Sequence, residues 1–297
     1  MIDLQSLLLF PSLVVPVVSF AAMTKADELQ ILLTNDDGIR SPGLWAAAEA
    51  LQSLGFVTVA APREQASGTG RSMPVTSDGV ICEELKEVSG KHWKVYAVGG
   101  TPAQAVQHGV LELMARPPDL VVAGINYGEN IGLGVTISGT VGAALEGAAR
   151  GVPSLAVSLE TPVEKHLSYS DEVDFSTAAH FTSFFAQRLL AGVRHDDVAV
   201  LKVDVPADAT PETPWKVTRL SRALFFEPVA PKRKRLDEPA KMSYRVARTL
   251  EELEPGSDSH AVHVERVVAV TPLSLDLTSR LDLAVLERQL RQDASAD

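Results

Sequence analysis

The sequence predicts an α/β fold of three layers, a Rossmann-like arrangement in which a mostly parallel sheet carries helices on both faces. Short apolar runs alternate with helical patterns along most of the chain, and this alternation is typical of parallel β-α-β units. The runs are almost continuously apolar, which indicates a sheet buried on both faces. With 45% hydrophobic and 22% charged residues among 297, the composition is that of a folded globular chain.

The predicted elements follow this alternation in order. The strands are residues 29–34, 56–61, 120–123, 154–158 and 198–203. Helical patterns cover residues 44–54 and 171–190. The second pattern is amphipathic, with Phe181, Phe185 and Leu189 on one side.

The last third of the chain contains an arm and a C-terminal extension. The alternation breaks down over about residues 219–255, which we expect to form an irregular or β-hairpin arm. The run Lys232-Arg233-Lys234-Arg235 within it is followed by two acidic residues. Such a charge run is usually a solvated loop, and an interaction arm is the alternative. Residues 262–271 then predict a strand and residues 277–290 a helix.

Charge and cysteine content exclude several classes of protein. The chain has 27 Lys and Arg against 38 Asp and Glu, a formal charge of −11. Such a surface repels a polyphosphate backbone, so duplex nucleic acid is not an expected partner. Cys82 is the one cysteine in the sequence, which excludes an intramolecular disulfide and a zinc site of several thiolates.

The first 26 residues are expected to lie outside the single domain predicted for residues 27–297. The apolar run at residues 7–22 is interrupted by Pro11 and Pro16 and is too short to span a bilayer, so no membrane span is predicted. The start carries no Lys or Arg, whereas a signal peptide begins with a positively charged segment. We therefore expect an extension upstream of Met23 and a cytoplasmic protein, the alternative being a signal segment and a periplasmic one.

Polar residues that directly follow strands are the best candidates for function, because ligands bind at the carboxyl ends of an open parallel sheet. The first strand leads into Asn35-Asp36-Asp37-Gly38. Two adjacent carboxylates repel each other, and a hard divalent cation such as Mg²⁺ or Mn²⁺ relieves that repulsion. A plain Asx turn is the structural alternative.

Two further loops carry polar groups. The loop after the second strand contains Ser67, whose hydroxyl can reach a metal, and Arg71, which can reach a phosphate, although an exposed linker has the same composition. The third loop contains Asn126 and Asn130, which offer neutral oxygen ligands. Ser138-Gly139-Thr140 then opens an Ala-rich helix whose free N–H groups predict an anion site, unless the glycines serve helix packing.

Other catalytic classes lack their motifs. No Lys follows Gly139 as a nucleotide-triphosphate loop requires, and Gly-x-Gly-x-x-Gly is absent. The sequence also has no His-Glu-x-x-His and no Gly-x-Ser-x-Gly. An ATPase, a dinucleotide-dependent enzyme, a zinc protease and an α/β-hydrolase are therefore disfavoured.

Taken together, these segments resemble the SurE family of survival-protein nucleotidases. The resemblance covers about residues 29–278 and includes Gly100-Thr101-Pro102-Ala103 and Gly256-Ser257-Asp258. It implies a metal-dependent phosphomonoesterase that hydrolyses nucleoside 5′- and 3′-monophosphates and forms a homodimer or tetramer. The implied ligands of one Mg²⁺ or Mn²⁺ per subunit are Asp36, Asp37, Ser67 and Asn126.

The catalytic residues expected from this resemblance are Asp36 and Asp37, with Asp36 a metal ligand and proton acceptor. We favour attack by water, and the sequence leaves an aspartyl-phosphate intermediate open. The expected contacts to the substrate are Asn35, Arg71, Asn130, Ser138, Gly139 and Thr140.

The chain departs from the family pattern at three places that are not expected metal ligands. Gln104-Ala105 stands where Asp-Cys is usual, residues 133–137 lack the acidic and aromatic side chains often found there, and Lys202-Val203-Asp204 replaces an Asn-rich strand end. These departures leave base preference open. They also keep two alternatives: a non-catalytic nucleotide-binding protein, and a broad sugar or polyphosphate phosphatase.

Overall fold

A computed structural model describes residues 28–293 of the chain. Eleven strands lie in this range: β1 Gln30–Thr34, β2 Phe56–Pro62, β3 Ile81–Val88, β4 Lys91–Val98, β5 Leu120–Tyr127, β6 Ser154–Leu159, β7 Val200–Val205, β8 Trp215–Val217, β9 Phe226–Val229, β10 Ser243–Val246 and β11 Val268–Leu273. The α-helices in this range are α1 Pro42–Leu51, α2 Pro102–His108, α3 Gly139–Ala149, α4 Ser176–Leu190, α5 Asp258–His263 and α6 Leu283–Asp293.

A nine-stranded sheet forms the middle layer, in the order β3-β4-β2-β1-β5-β6-β7-β11-β8. The six strands from β4 to β7 run parallel, and the pairs β3–β4 and β7–β11 are antiparallel. Strand β1 lies between β2 and β5, so the loops that follow these three strands meet at one edge. The predicted, mostly parallel sheet is confirmed.

Helices cover both faces of the sheet, as the apolar strands predict. Ile31 and Leu33 of β1 point to the face covered by α1 and α4, and the intervening Leu32 points to the face covered by α2 and α3. All three side chains are fully buried. Burying a leucine or isoleucine contributes about 1.5–3 kcal/mol, so both faces of one strand stabilise the three-layer arrangement.

Three predicted elements begin five or six residues later than expected. The helix predicted at residues 277–290 is α6 Leu283–Asp293, and side-chain hydrogen bonds accompany the other two shifts. Helix α4 begins at Ser176 rather than at residue 171, because the Asp174 carboxylate accepts a hydrogen bond from the Ser176 N–H at 2.8 Å. The predicted strand at residues 262–271 begins only at Val268. The residues before it form α5, whose N-cap Ser257 accepts a hydrogen bond from the His260 N–H at 3.2 Å.

The sequence prediction missed the hairpin of β3 and β4. Its two-residue loop is Ser89-Gly90, and both residues have positive φ, at 47° and 74°. These values are typical of the tight turn whose twist matches that of the flanking strands. Because β3 is largely exposed and charged, it lacks the apolar run by which the buried strands were found.

The arm and the C-terminal extension lie at the periphery. Strands β9 and β10 pair antiparallel as a separate two-stranded sheet, which confirms the expected hairpin. Helix α6 exposes Leu283, Leu286 and Leu290. Within residues 28–293 no helix is both long and apolar enough to cross a membrane. The expected N-terminal extension at residues 1–26 lies outside the described residues.

A buried ion cluster joins the sheet to α5. The ammonium group of Lys202 on β7 is fully buried and binds the carboxylates of Asp204 and Asp258, the second at 3.2 Å. Desolvation opposes the charge of Lys202, but the two carboxylates outweigh it and raise the pKa of the lysine. Asp258 also accepts hydrogen bonds from the Gly132 and Ser221 N–H groups, at 3.0 and 2.9 Å.

We expect Lys202→Met to destabilise the protein by about 3–5 kcal/mol, because it leaves two buried carboxylates without their cation. Urea unfolding at pH 7 measures the loss. The control is Lys216→Met, which breaks a half-exposed ion pair with Glu265 and should change the free energy of unfolding by about 1 kcal/mol or less. Equal losses in the two variants would show that the buried cluster has no special role in stability.

Candidate active site

Two adjacent carboxylates are buried at the carboxyl end of β1. Asp36 is 4% exposed and Asp37 is fully buried. Neither forms an ion pair with a Lys, Arg or His among the described residues. Burying an unpaired carboxylate is costly, so the groups around these two side chains determine how the site works.

Asp36 is held by the start of helix α3. The Thr140 hydroxyl donates a hydrogen bond to its carboxylate, and the N–H groups of Gly139 and Thr140 also bond to it. Gly139 permits this contact, since a Cβ there would lie 2.7 Å from the Asp36 Cβ. Burial raises the pKa of Asp36, and these hydrogen bonds oppose the rise.

The other free N–H groups of α3 are also satisfied. The Ser138 side chain accepts a hydrogen bond from the Val141 N–H at 3.1 Å, and its carbonyl accepts from the Gly142 N–H at 2.9 Å. In this structure the Asp36 carboxylate lies at the start of α3, and the predicted phosphate site there stays a prediction.

Asp37 is held by the end of β5 and by the loop after β2. Its carboxylate accepts hydrogen bonds from the Tyr127 N–H at 3.2 Å and from the Gln65 amide at 3.3 Å. Burial and the nearby charge of Asp36 raise the pKa of Asp37 well above its usual range. A bound cation or a proton would relieve this electrostatic cost.

The loop after β2 contacts Asp36 one residue before Ser67, and Arg71 of the same loop binds farther along α3. The Ala66 N–H donates to the Asp36 carbonyl at 2.7 Å, so the exposed Ser67 follows directly after a contact with Asp36. The Arg71 guanidinium donates instead to Glu146 at 2.9 Å. Glu146 is seven residues beyond Gly139, about 10 Å along α3.

The asparagines predicted at the site differ in their contacts. Asn126 precedes the residue whose N–H binds Asp37, and its amide donates to the Gly128 carbonyl at 2.7 Å. No hydrogen bond to its Oδ1 is found among the described residues. The Asn130 amide donates to Ser158 at 2.8 Å, and the buried Asn35 amide donates to the Gly38 carbonyl at 3.0 Å.

Three contacts at the site were not predicted from the sequence. Gln65 joins Asp37 to the His166 carbonyl, to which it donates at 3.1 Å. The Tyr169 hydroxyl donates to the Asp37 carbonyl at 2.9 Å. Both His166 and Tyr169 lie in the loop after β6. This loop also follows the carboxyl end of a parallel strand, where ligands bind in such sheets. Gln65 stands in the second predicted loop, where its amide had no assigned role.

The residues present fit a hard divalent cation. All four expected ligands offer oxygen atoms: the carboxylates of Asp36 and Asp37, the Ser67 hydroxyl and the Asn126 Oδ1. Ser67 follows Ala66, whose N–H binds Asp36, and Asn126 precedes Tyr127, whose N–H binds Asp37. Within residues 28–293 no cluster of three or more His, Cys, Asp or Glu side chains could hold a metal, so this site would combine two carboxylates with neutral oxygen ligands. This donor set favours Mg²⁺ or Mn²⁺ over Zn²⁺.

In metal-free protein we expect Asp37→Asn to raise the free energy of unfolding at pH 8 and to flatten its dependence on pH. The Asp37 pKa is higher in the folded than in the unfolded state, so this residue destabilises the fold as pH rises from about 4 through the folded-state pKa. Urea unfolding in EDTA between pH 5 and 8 measures the change.

The control for this experiment is Asp78→Asn. Arg63 lowers the pKa of Asp78, so the variant should lose a little stability at pH 8 rather than gain it. If Asp37→Asn lost stability as well, its carboxylate would be a structural requirement of the fold.

Comparisons with known proteins identify the family. A profile of the family described as Survival protein SurE matches residues 31–227. A 5′-nucleotidase SurE from Thermococcus gammatolerans is 41% identical over 263 residues, covering 88% of this chain and 96% of that protein. A 5′-nucleotidase SurE from Methanocella arvoryzae is 39% identical over 269 residues, covering 89% and 98%.

A solved structure shows the same fold. The crystal structure of the SurE protein from Aquifex aeolicus is similar to this chain with a TM-score of 0.68 at 31% identity, covering 89% of this chain and 99% of that one. The fold, the acidic pair after β1 and the sequence similarity over most of the chain lead to one conclusion: this protein belongs to the Survival protein SurE family.

Proposed function

We propose that this chain, an enzyme of the 5′-nucleotidase class, hydrolyses nucleoside monophosphates to nucleoside and phosphate with the help of one Mg²⁺ or Mn²⁺. One observation supports the proposal above others: two buried carboxylates lie at the carboxyl edge of the sheet, and no cationic side chain among the described residues pairs with them. The related proteins named 5′-nucleotidase SurE supply the substrate class. Glycine-rich loops at this edge favour broad specificity, and we extend the proposal to 3′-monophosphates.

Asp36, Asp37, Ser67 and Asn126 would hold the cation. When bound, it polarises a phosphoryl oxygen and lowers the pKa of a water molecule. Desolvation raises the pKa of both carboxyls, so their charges attract a cation more strongly than exposed carboxylates would.

The protein residues position the reacting groups. Asp36 is fixed by the Thr140 hydroxyl and the start of α3, which places it to accept a proton from an attacking water. We favour attack by water over attack by Asp36 itself, because a bound divalent cation would lower the pKa of a water molecule. Of the expected phosphate contacts, Gly139 and Thr140 orient Asp36, and Ser138 caps the helix that carries them.

The remaining expected contacts differ in how directly they can serve the phosphate. The Asn35 side chain bonds to the Gly38 backbone, so its role is to fix the conformation of the loop that carries Asp36 and Asp37. The Asn130 amide has a second N–H beyond the one that donates to Ser158, and we propose that it donates to the phosphate. Arg71 would have to release Glu146 to reach the phosphate.

We expect the purified protein to release inorganic phosphate from adenosine 5′-monophosphate with Mg²⁺ or Mn²⁺. Exhaustive chelation should abolish the release and either ion should restore it, because the acidic pair alone would repel the substrate dianion. Zn²⁺ should restore it poorly, since no His or Cys is placed as a ligand. Full activity in the stripped protein would refute the metal requirement.

The variant Asp36→Asn tests the role of this carboxylate, because it keeps the shape of the side chain and removes one charge. It should lower turnover by several orders of magnitude and weaken metal binding, which titration calorimetry measures separately. Near-normal turnover in this variant would overturn the role of Asp36. No turnover by the wild-type protein with nucleotide still bound would support the non-catalytic alternative.

We also propose that the protein is at least a homodimer through its C-terminal extension. Helix α6 exposes Leu283 by 60% and Leu290 by 66%, and apolar surface of this kind marks an interface. Light scattering at micromolar concentration should give a dimer or tetramer, and Leu283→Ser with Leu290→Ser should shift it towards monomer. The control Leu85→Ser changes an exposed leucine on β3 and should leave the mass unchanged. A wild-type monomer would refute the proposal.

A further inference from the structure

The arm has a charge opposite to that of the rest of the chain. We call residues 222–248 the basic arm, because this segment contains eight Lys or Arg and three Asp or Glu, a formal charge of +5. The whole chain has a formal charge of −11. A positive segment on an acidic protein attracts an anion locally, while the remaining surface repels it.

Most cations of the basic arm have no carboxylate partner. Its acidic residues are engaged by Arg235, which pairs with Asp237, by Arg245, which pairs with Glu227, and by the Lys234 N–H, which bonds to Glu238. The exposed cations without an ion pair among the described residues are Arg222, Lys232, Arg233, Lys234, Lys241 and Arg248. Arg233 donates to two carbonyls of its own loop, those of Leu236 and Glu238, at 3.2 and 3.4 Å. No carboxylate among the described residues pairs with these six side chains, so their charges are available to a phosphate.

The root of the basic arm touches the active site. The Tyr244 hydroxyl of β10 is 3.0 Å from the His166 Nδ1, and Phe226 of β9 packs edge-on against the same ring at 5.7 Å. The His166 ring also lies against Gly128, where a Cβ would come within 2.5 Å of its Nε2. The His166 carbonyl accepts from Gln65, which binds Asp37, so two residues join the arm to the acidic pair.

We infer that the basic arm binds the backbone of a single-stranded oligonucleotide whose terminal phosphomonoester enters the active site. The inference rests on the proposed function and names a further substrate class for the same site. Lys241 is three residues from Tyr244, about 10 Å in an extended chain, so the cations begin close to the site. Several internal phosphates can therefore be neutralised while the end is at Asp37.

Two observations favour a single strand over other polyanions. A duplex would bring a second phosphate backbone against the acidic body of the protein. Tyr244 is 37% exposed beside the cations, and a base can stack on such a ring, whereas inorganic polyphosphate has no group that does so.

The reaction is the same hydrolysis as on a mononucleotide. Water supplies the new P–O bond, the bond between phosphorus and the terminal ester oxygen breaks, and that oxygen takes a proton to become the terminal hydroxyl. Inorganic phosphate leaves, and no other co-reactant is needed.

Binding is tested by fluorescence anisotropy with a 3′-labelled, 5′-phosphorylated single-stranded decanucleotide, in EDTA so that turnover does not interfere. The variant Lys232→Ser, Lys234→Ser, Lys241→Ser should bind about tenfold or more weakly at low salt. Each neutralised phosphate contributes about −0.7 to the slope of log affinity against log salt, so this slope should become shallower by about 2.

The matched control removes three exposed cations elsewhere, as Lys86→Ser, Lys91→Ser, Arg194→Ser, and should bind almost as the wild type does. Equal weakening in both variants would overturn the inference, because net charge alone would explain it. Equal displacement by charge-matched polyphosphate would overturn the preference for a base-bearing chain. A change of mass in light scattering with unchanged oligonucleotide binding would make the arm a subunit contact instead.

Phosphate release then tests the substrate class. Wild type should release phosphate from the decanucleotide, and the arm variant should lower kcat/KM for it about tenfold while kcat/KM for adenosine 5′-monophosphate changes less than twofold. Hydrolysis of the mononucleotide without hydrolysis of the decanucleotide would overturn the inference and leave the proposed function standing. Arm-dependent binding without hydrolysis of either substrate would instead refute the proposed function.

Discussion

The burial of two adjacent carboxylates is the constraint on which the site depends. Asp36 and Asp37 carry charges that desolvation and mutual repulsion oppose, and the protein places N–H and hydroxyl donors around them rather than a cationic side chain. This arrangement requires the start of α3 to lie against the end of β1, with a glycine at the contact. The central sheet and its helices provide that juxtaposition.

The same fold treats another buried acidic pair differently. Asp204 and Asp258 share the ammonium group of Lys202, so their charges are compensated within the chain. Such a cluster links elements, here β7, α5 and the loop after β5. The contrast distinguishes the two sites: carboxylates paired with a lysine stabilise the structure, whereas carboxylates left without a cation are available to bind one from solution.

The site is also joined to parts of the molecule far away in sequence. The His166 carbonyl accepts a hydrogen bond from Gln65, and its ring is hydrogen-bonded to the Tyr244 hydroxyl. The loops after β2 and β6 and the hairpin of β9 and β10 therefore meet beside Asp37. A contact of this kind does not follow from any local pattern. A change in the hairpin can therefore alter the position of Asp37 through His166 and Gln65.

The sequence by itself determined the parallel sheet and the strand ends near which Asp36, Ser67 and Asn126 lie, because strand pattern and chain order decide which strand ends share an edge. It placed Asn126 in a loop, whereas β5 extends to Tyr127. The tertiary structure alone decided which polar side chains face the site. Arg71 pairs with Glu146, and the Asn130 amide donates to Ser158, because these partners come from parts of the chain that only the folded structure brings close. The β3–β4 hairpin was likewise missed because an exposed edge strand needs no apolar run, and only its pairing with β4 shows it.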